Sequence, residues 1–170
     1  MTATDIFCDG WSGRAALDMG RPRLLSPPTG EPLQLSLAPE VTVVVHRVCM
    51  GNPHAVLFVD SITDQLVRDY GPAIEQHSAL PERSNVEFVA VEKKHELKIR
   101  VWERGSGETK SCGSGACAAV AAAVAAGRIA AGPACHVHFA GGILEVTRLS
   151  SGRLRLSGPV EVSCVGRLVY

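Results

Sequence analysis

Two hydrophobic periodicities alternate along this chain, and the points where they change outline its elements. Val41-Thr42-Val43-Val44-Val45-His46-Arg47-Val48 is rich in β-branched residues and predicts a strand. Gly51-Asn52-Pro53-His54 follows as a turn, because Pro53 fixes its own φ and biases Asn52 away from the helical region. Ala55-Val56-Leu57-Phe58-Val59 then reads as a second, buried strand. Ile62, Leu66, Tyr70 and Ile74 recur at helical spacing and predict a helix from about Thr63 to His77, capped by Asp60-Ser61-Ile62-Thr63 and bent near Gly71-Pro72. Strand-like runs at 86–91 and 97–102 predict a hairpin turning around Lys93-Lys94.

Gly113 to about Ala126 predicts a helix, because alanine has the highest helix propensity and Gly127 can terminate it. Its methyl-sized side chains let neighbouring elements approach on every side, so burial is expected. From His136 to Val169 the pattern returns to strands: 136–139, 143–147, 154–156 and 160–162, separated by Gly141-Gly142, Ser151-Gly152 and Gly158-Pro159. Residues 1–40 are the least regular, broken by Pro22, Pro27, Pro28, Pro32 and Pro39 and by Gly10, Gly13, Gly20 and Gly30. The expected organisation is an irregular leader over 1–16 and one domain over 17–170. The expected fold class is α+β: a mostly antiparallel sheet curled around a central alanine-rich helix, with a second helix outside.

At 170 residues the chain is long enough for one domain with a sizeable core. Lys+Arg (17) balance Asp+Glu (17), which removes the electrostatic case for nucleic acid or an anionic membrane as a partner. The densest charge cluster, Glu92-Lys93-Lys94-His95-Glu96, reads as a solvated turn. No signal-peptide pattern opens the sequence, and the longest apolar run, 116–126, is too short to span a bilayer. Six cysteines without disulfide-framework spacing fit a reducing cytoplasm.

The chemistry concentrates at Cys112, at the mouth of the alanine helix in Ser111-Cys112-Gly113-Ser114-Gly115-Ala116. A helix N-terminus favours the thiolate, so an acidified thiol is expected. Gly113 and Gly115 remove side chains that would block a ligand, and the amides of Gly113, Ser114 and Gly115 would face a bound carboxylate. Such a site suits proton abstraction beside a carboxylate, or nucleophilic attack. The competing reading is a buried, inert cysteine. Cys117 lies roughly 140° around the helix from Cys112 and is read as core. Cys135, His136 and His138 match no standard zinc spacing, and no metal site is expected.

Four separated motifs occur in order: Gly51-Asn52-Pro53-His54-Ala55-Val56, Arg83-Ser84-Asn85-Val86-Glu87-Phe88, Glu103-Arg104-Gly105-Ser106-Gly107-Glu108-Thr109 and Cys112-Gly113-Ser114-Gly115-Ala116. From about Leu17 onward the chain resembles the C-terminal half of the diaminopimelate epimerase family, cofactor-independent enzymes of lysine and peptidoglycan precursor synthesis. The resemblance implies one lobe of a two-lobed fold and a two-base reaction in which two cysteines serve opposite faces of the substrate carbon, without pyridoxal or metal. Cys112 matches one of those cysteines. Glu103 matches a carboxylate contacting the substrate amino group, and His54 an active-site histidine. Asn52, Asn85 and Arg104 match residues holding the distal end of the substrate, where an arginine fork suits a carboxylate. Gly113 and Ser114 match helix-start donors to the reacting carboxylate. Taken singly, His54 could cap a turn, Asn85 could be a turn residue, and Glu103-Arg104 could be a surface pair.

The family's N-terminal half carries the second cysteine, and residues 1–40 do not resemble it. Cys8 is read as incidental. The expected consequences are that this chain is inactive alone, and that it needs an N-terminal half-domain or associates through an exposed apolar face. Alternatives are a related cofactor-independent racemase acting on another amino acid, and a non-catalytic binding domain.

Overall fold

The computed structural model describes residues 2–25 and 31–167. Among them one sheet of twelve strands curls around a helix. In chain order the strands are β1 (Thr2–Asp9), β2 (Ser12–Gly20), β3 (Arg23–Leu24), β4 (Leu33–Ala38), β5 (Val41–Cys49), β6 (Pro53–Phe58), β7 (Asn85–Lys93), β8 (Glu96–Glu103), β9 (Gly107–Thr109), β10 (Cys135–Phe139), β11 (Gly142–Arg148) and β12 (Leu154–Glu161). The helices are α1 (Asp64–Glu75) and α2 (Gly113–Ala125). Strand order is β1-β2-β12-β11-β10-β8-β7-β6-β5-β3, with β4 on β5 and β9 on β8. Pairing is antiparallel except β6 with β7 and β8 with β10, so the expected α+β class and mostly antiparallel sheet hold.

α2 packs on β5, β6, β7, β11 and β12, strands drawn from both arms of the sheet. Residues 115–123 are all buried, as an all-round apolar helix requires. The helix ends as anticipated: Gly127 has φ +67°, its N–H donates to the Val124 carbonyl, and the Arg128 N–H donates to the Ala123 carbonyl. That pair of bonds is a Schellman closure, and a left-handed residue there favours glycine.

α1 lies against β4, β7, β8 and β9. Thr63 caps it, its Oγ1 accepting the Leu66 N–H at 3.1 Å, and the helix continues through Pro72. The fully buried positions are Val67, Gly71, Ile74 and Glu75; Ile62, Leu66 and Tyr70 flank them half-buried. The buried stripe is therefore rotated from the expected one, because Trp102 of β8 packs onto Gly71.

The irregular leader is corrected. Thr2–Asp9 and Ser12–Gly20 form a hairpin, with Asp9 opposite Ser12. Gly10 takes φ +69° in the two-residue turn, a position where glycine avoids a Cβ clash. β2 then pairs along β12, which places residues 12–16 inside the domain. The separate strands expected at 154–156 and 160–162 are one strand, β12, running through Gly158-Pro159. β11 pairs only with Leu154–Ser157, so Pro159 sits where one side of β12 has no ladder to interrupt. Pro27, Pro28, Gly30 and Val169 lie outside the described residues, and 162–167 carry no strand.

Two predictions follow from this packing. An ideal Cβ at Gly71 would lie 2.8 Å from the Trp102 indole, so Gly71→Ala should destabilise by about 1–3 kcal/mol despite its better helix propensity; a lower urea midpoint checks it. Burial also pushes the Cys117 thiol from 9.0 to about 12, and Cys135 to about 11. Below about pH 8 both stay largely protonated whether folded or unfolded. Above it the unfolded chain loses those protons first, so stability should fall by up to about 1.4 kcal/mol per pH unit per thiol towards pH 11. Urea midpoints between pH 8 and pH 10 should show the fall, and Cys117→Ala should flatten it.

Candidate active site

Cys112 is the N-cap residue of α2, with extended backbone at φ −145°, ψ 114°. Its Sγ accepts the Gly115 N–H at 3.4 Å and lies 3.5 Å from the Ser114 hydroxyl. The side chain thus performs the capping normally done by a serine or aspartate oxygen. The amides of Gly113 and Ser114, in the same first turn, have no intrahelical acceptor. Burial holds the Cys112 thiol above its ordinary value; hydrogen bonds from Ser114 and Gly115 oppose this, and the charges of Glu87 and Glu103 add to it. The expected acidification is therefore corrected: burial and two nearby carboxylates raise the thiol more than the Ser114 and Gly115 hydrogen bonds lower it.

A Cβ on Gly113 would meet Leu156 Cδ2 at 3.0 Å. One on Gly115 would lie 2.8 Å from Glu87 Oε1 and 3.3 Å from Cys112 Sγ. Both glycines admit side chains of this protein itself, and Gly115 brings Glu87 and Cys112 together.

His54 follows from the β5–β6 hairpin. Gly51, at φ +95°, turns the chain, and β6 starts at Pro53. His54 is 1% exposed, which removes the reading as a simple turn cap. Its Nδ1 lies 2.6 Å from Glu87 Oε1 and its Nε2 lies 3.0 Å from Asn52 Oδ1. Both ring nitrogens thus face oxygens. Glu87 is wholly buried, and its Oε2 has no hydrogen-bond partner among the described residues. A buried acceptor left unpaired costs about 1–3 kcal/mol.

Glu103 ends β8 and Arg104 opens the turn into β9. Thr109 Oγ1 donates to Glu103 Oε1 at 2.5 Å, fixing that carboxylate. The Arg104 N–H donates to Asn85 Oδ1 at 3.0 Å, and Asn85 Nδ2 donates to the Pro53 carbonyl at 3.2 Å. Asn85 therefore ties the His54 strand to the Glu103-Arg104 turn, with one amide hydrogen still to spare. The exposed Arg104 guanidinium reaches the Glu82 carbonyl at 2.9 Å.

Glu75, buried on α1, holds the same turn from behind. Its Oε2 accepts the Trp102 indole N–H at 3.0 Å, and its Oε1 accepts the Gly105 N–H at 3.0 Å. It grips one residue on each side of Glu103-Arg104. The structure thus joins Asn52, His54, Cys112, Ser114 and Glu103 around the start of α2, with Asn85 and Arg104 linked at its rim. Sequence reasoning gave no role to Glu87, Glu75 or Thr109. The available signal for Glu87 was a single charge inside the apolar run Val86–Val91. Cys135 faces inward on β10 while His136 and His138 face the other way, so those three do not converge. A cleft of about 500 Å³ lined by Glu92, Lys98 and His138 shares no residue with this cluster. No helix among the described residues is long and apolar enough to cross a membrane.

The chain is similar to known proteins in both sequence and fold. Residues 47–162, which carry every member of the cluster, match the diaminopimelate epimerase family model. The chain is 42% identical to a diaminopimelate epimerase of Bacillus cereus (strain AH820), over 100% of this chain and 62% of that protein. It is 43% identical to one from Geobacillus thermodenitrificans, over 91% of this chain and 56% of that protein. The chain therefore spans less than two thirds of the length of these relatives. Among solved structures, a probable proline racemase from Agrobacterium radiobacter K84 matches with TM-score 0.69 at 15% identity, over 96% of this chain and 56% of that one, a likeness of fold. With both the sequence match and the curled-sheet lobe in agreement, the chain belongs to the diaminopimelate epimerase family.

Proposed function

We propose that this chain supplies one catalytic half-site of a cofactor-independent amino-acid epimerase converting LL- to meso-diaminopimelate. The observation that carries this is the seat of Cys112: a buried thiol capping a helix whose next two amides have no acceptor within the helix and are free to bind an anion. The reacting carboxylate binds at the Gly113 and Ser114 amides, which stabilise the charge that builds as the α-proton leaves. Cys112 gives its proton to one face of the α-carbon while a second cysteine removes the proton from the other. In the reverse direction the roles exchange, so protons balance and no redox partner is needed. Glu103 contacts the substrate amino group. His54 borders the reacting centre, and Asn52, Asn85 and Arg104 hold the distal end.

The second cysteine comes, on this reading, from the part of the relatives' length that this chain does not span. The partner is that half-domain. Trp11, 66% exposed at the β1–β2 turn and bonded through its carbonyl to the Val162 N–H, is one apolar side chain available for the association.

Two experiments test the reading. In deuterated water, the chain mixed with a half-domain carrying a second glycine-flanked cysteine should exchange the α-hydrogen of LL-diaminopimelate, and the chain alone should not. Cys112→Ala should lower exchange on the order of 10³-fold. Turnover by the chain alone, or exchange indifferent to Cys112→Ala, would overturn it. Preferential exchange of another amino acid would transfer the site to a racemase, and none at all to a binding domain. Glu75→Gln keeps the shape of the clamp but weakens its grip on the Glu103-Arg104 turn, so KM should rise about tenfold, with kcat changing less. Steady-state kinetics of the reconstituted enzyme decide this.

A further inference from the structure

Glu87 is wholly buried beside α2, and the proposed reaction does not use it. Its surroundings are unusual for a structural residue. The inward positions beside it on β7 are apolar or bonded within the framework. Among the described residues no lysine or arginine pairs with it; its ion-pair contact is His54, with both side chains wholly buried. One carboxylate oxygen is committed to His54 Nδ1 at 2.6 Å, while the other is buried and unpartnered. The committed oxygen also rests over Gly115, 2.8 Å from where a Cβ would stand, a point that lies 3.3 Å from Cys112 Sγ. Carboxylate, imidazole and thiol therefore meet at the first turn of α2, where the helix terminus favours negative charge.

We propose that Glu87 is a positioning residue for the Cys112 site: it fixes the His54 ring through Nδ1 and, seated on the bare Cα of Gly115, keeps a carboxylate beside the sulfur. This deepens the proposed function and rests on it for its catalytic meaning, though not for its test. With Nδ1–H donating to Glu87, the ring plane and the direction of Nε2 are set, and Nε2 is aimed at Asn52. The groups acting on the sulfur are Glu87 from β7 and Glu103 from β8, with Ser114 and the Gly115 amide on α2 itself. Cys117, further along the same helix, feels the charge of Cys112, and His54 on β6 acts through Glu87. Of the two carboxylates, only Glu87 is bonded to the imidazole; Glu103 is held by Thr109. The place of the Glu87 carboxylate beside the sulfur is thus held by His54.

The test uses the 170-residue chain and does not require turnover. Iodoacetamide labelling of Cys112, read by peptide mass mapping from pH 6 to pH 10, reports the thiolate fraction. Glu87→Gln should move the labelling midpoint to lower pH and raise the pH 7 rate about threefold. In a His54→Gln background the same substitution should have little further effect. A profile unmoved by Glu87→Gln in a chain that still melts cooperatively would overturn the proposal, as would an equal shift in both backgrounds. Should the variants not fold, ¹⁵N spectra of the unsubstituted chain decide: His54 must carry a proton on Nδ1, and an unprotonated Nδ1 at pH 7 overturns it. Because labelling and spectra are independent of epimerisation, failure of the proposed function leaves this result readable, and the reverse holds as well.

Discussion

The start of α2 is the constraint on which the rest of the molecule depends. α2 is buried from Gly115 to Ala123, so the N–H of Gly115 must find its partner inside the protein. Here that partner is a sulfur, Cys112 Sγ on the Gly115 N–H. Using a thiol as a cap places a titratable, nucleophilic group at the positive end of a helix. Burying the same turn then denies that group the ionisation which the helix would otherwise favour. A sulfur cap is weaker than an oxygen cap, and stability there is spent on a group with chemistry.

The surrounding architecture follows from this turn. The alanines of α2 let strands from both arms of the sheet close around the helix. That closure carries β7 across the first turn of α2, where Gly115 makes room for the Glu87 carboxylate. The parallel pairing of β6 and β7 sets His54 beside the same carboxylate. On the other side of the sheet, α1 packs Gly71 against Trp102, and Glu75 clamps the turn bearing Glu103 and Arg104. Each helix thus serves one part of the cluster: α2 presents the thiol, and α1 holds the Glu103-Arg104 turn from behind.

Much of the framework is legible in local pattern. The β-branched run at 41–48, the Thr63 cap and the glycine that closes α2 each rest on a rule of a few residues' range, and each appears where that rule puts it. The β1–β2 hairpin escaped because proline and glycine density over residues 1–40 masked a single two-residue turn at Gly10. The continuity of β12 escaped for a related reason: Gly158-Pro159 reads as a break unless it is known that β11 has already ended.

By itself, the sequence determined the α+β class, the buried alanine helix and the four ordered motifs that place the chain in its family. These are consequences of periodicity, propensity and residue identity, which act over short spans. Only the tertiary structure decided the protonation tendency of Cys112, the purpose of Gly113 and Gly115, and the involvement of Glu75 and Glu87. Those depend on burial and on charges brought from strands and helices dozens of residues away. Electrostatic energy in a dry interior is set by such neighbours in space, and no local pattern in the chain encodes them.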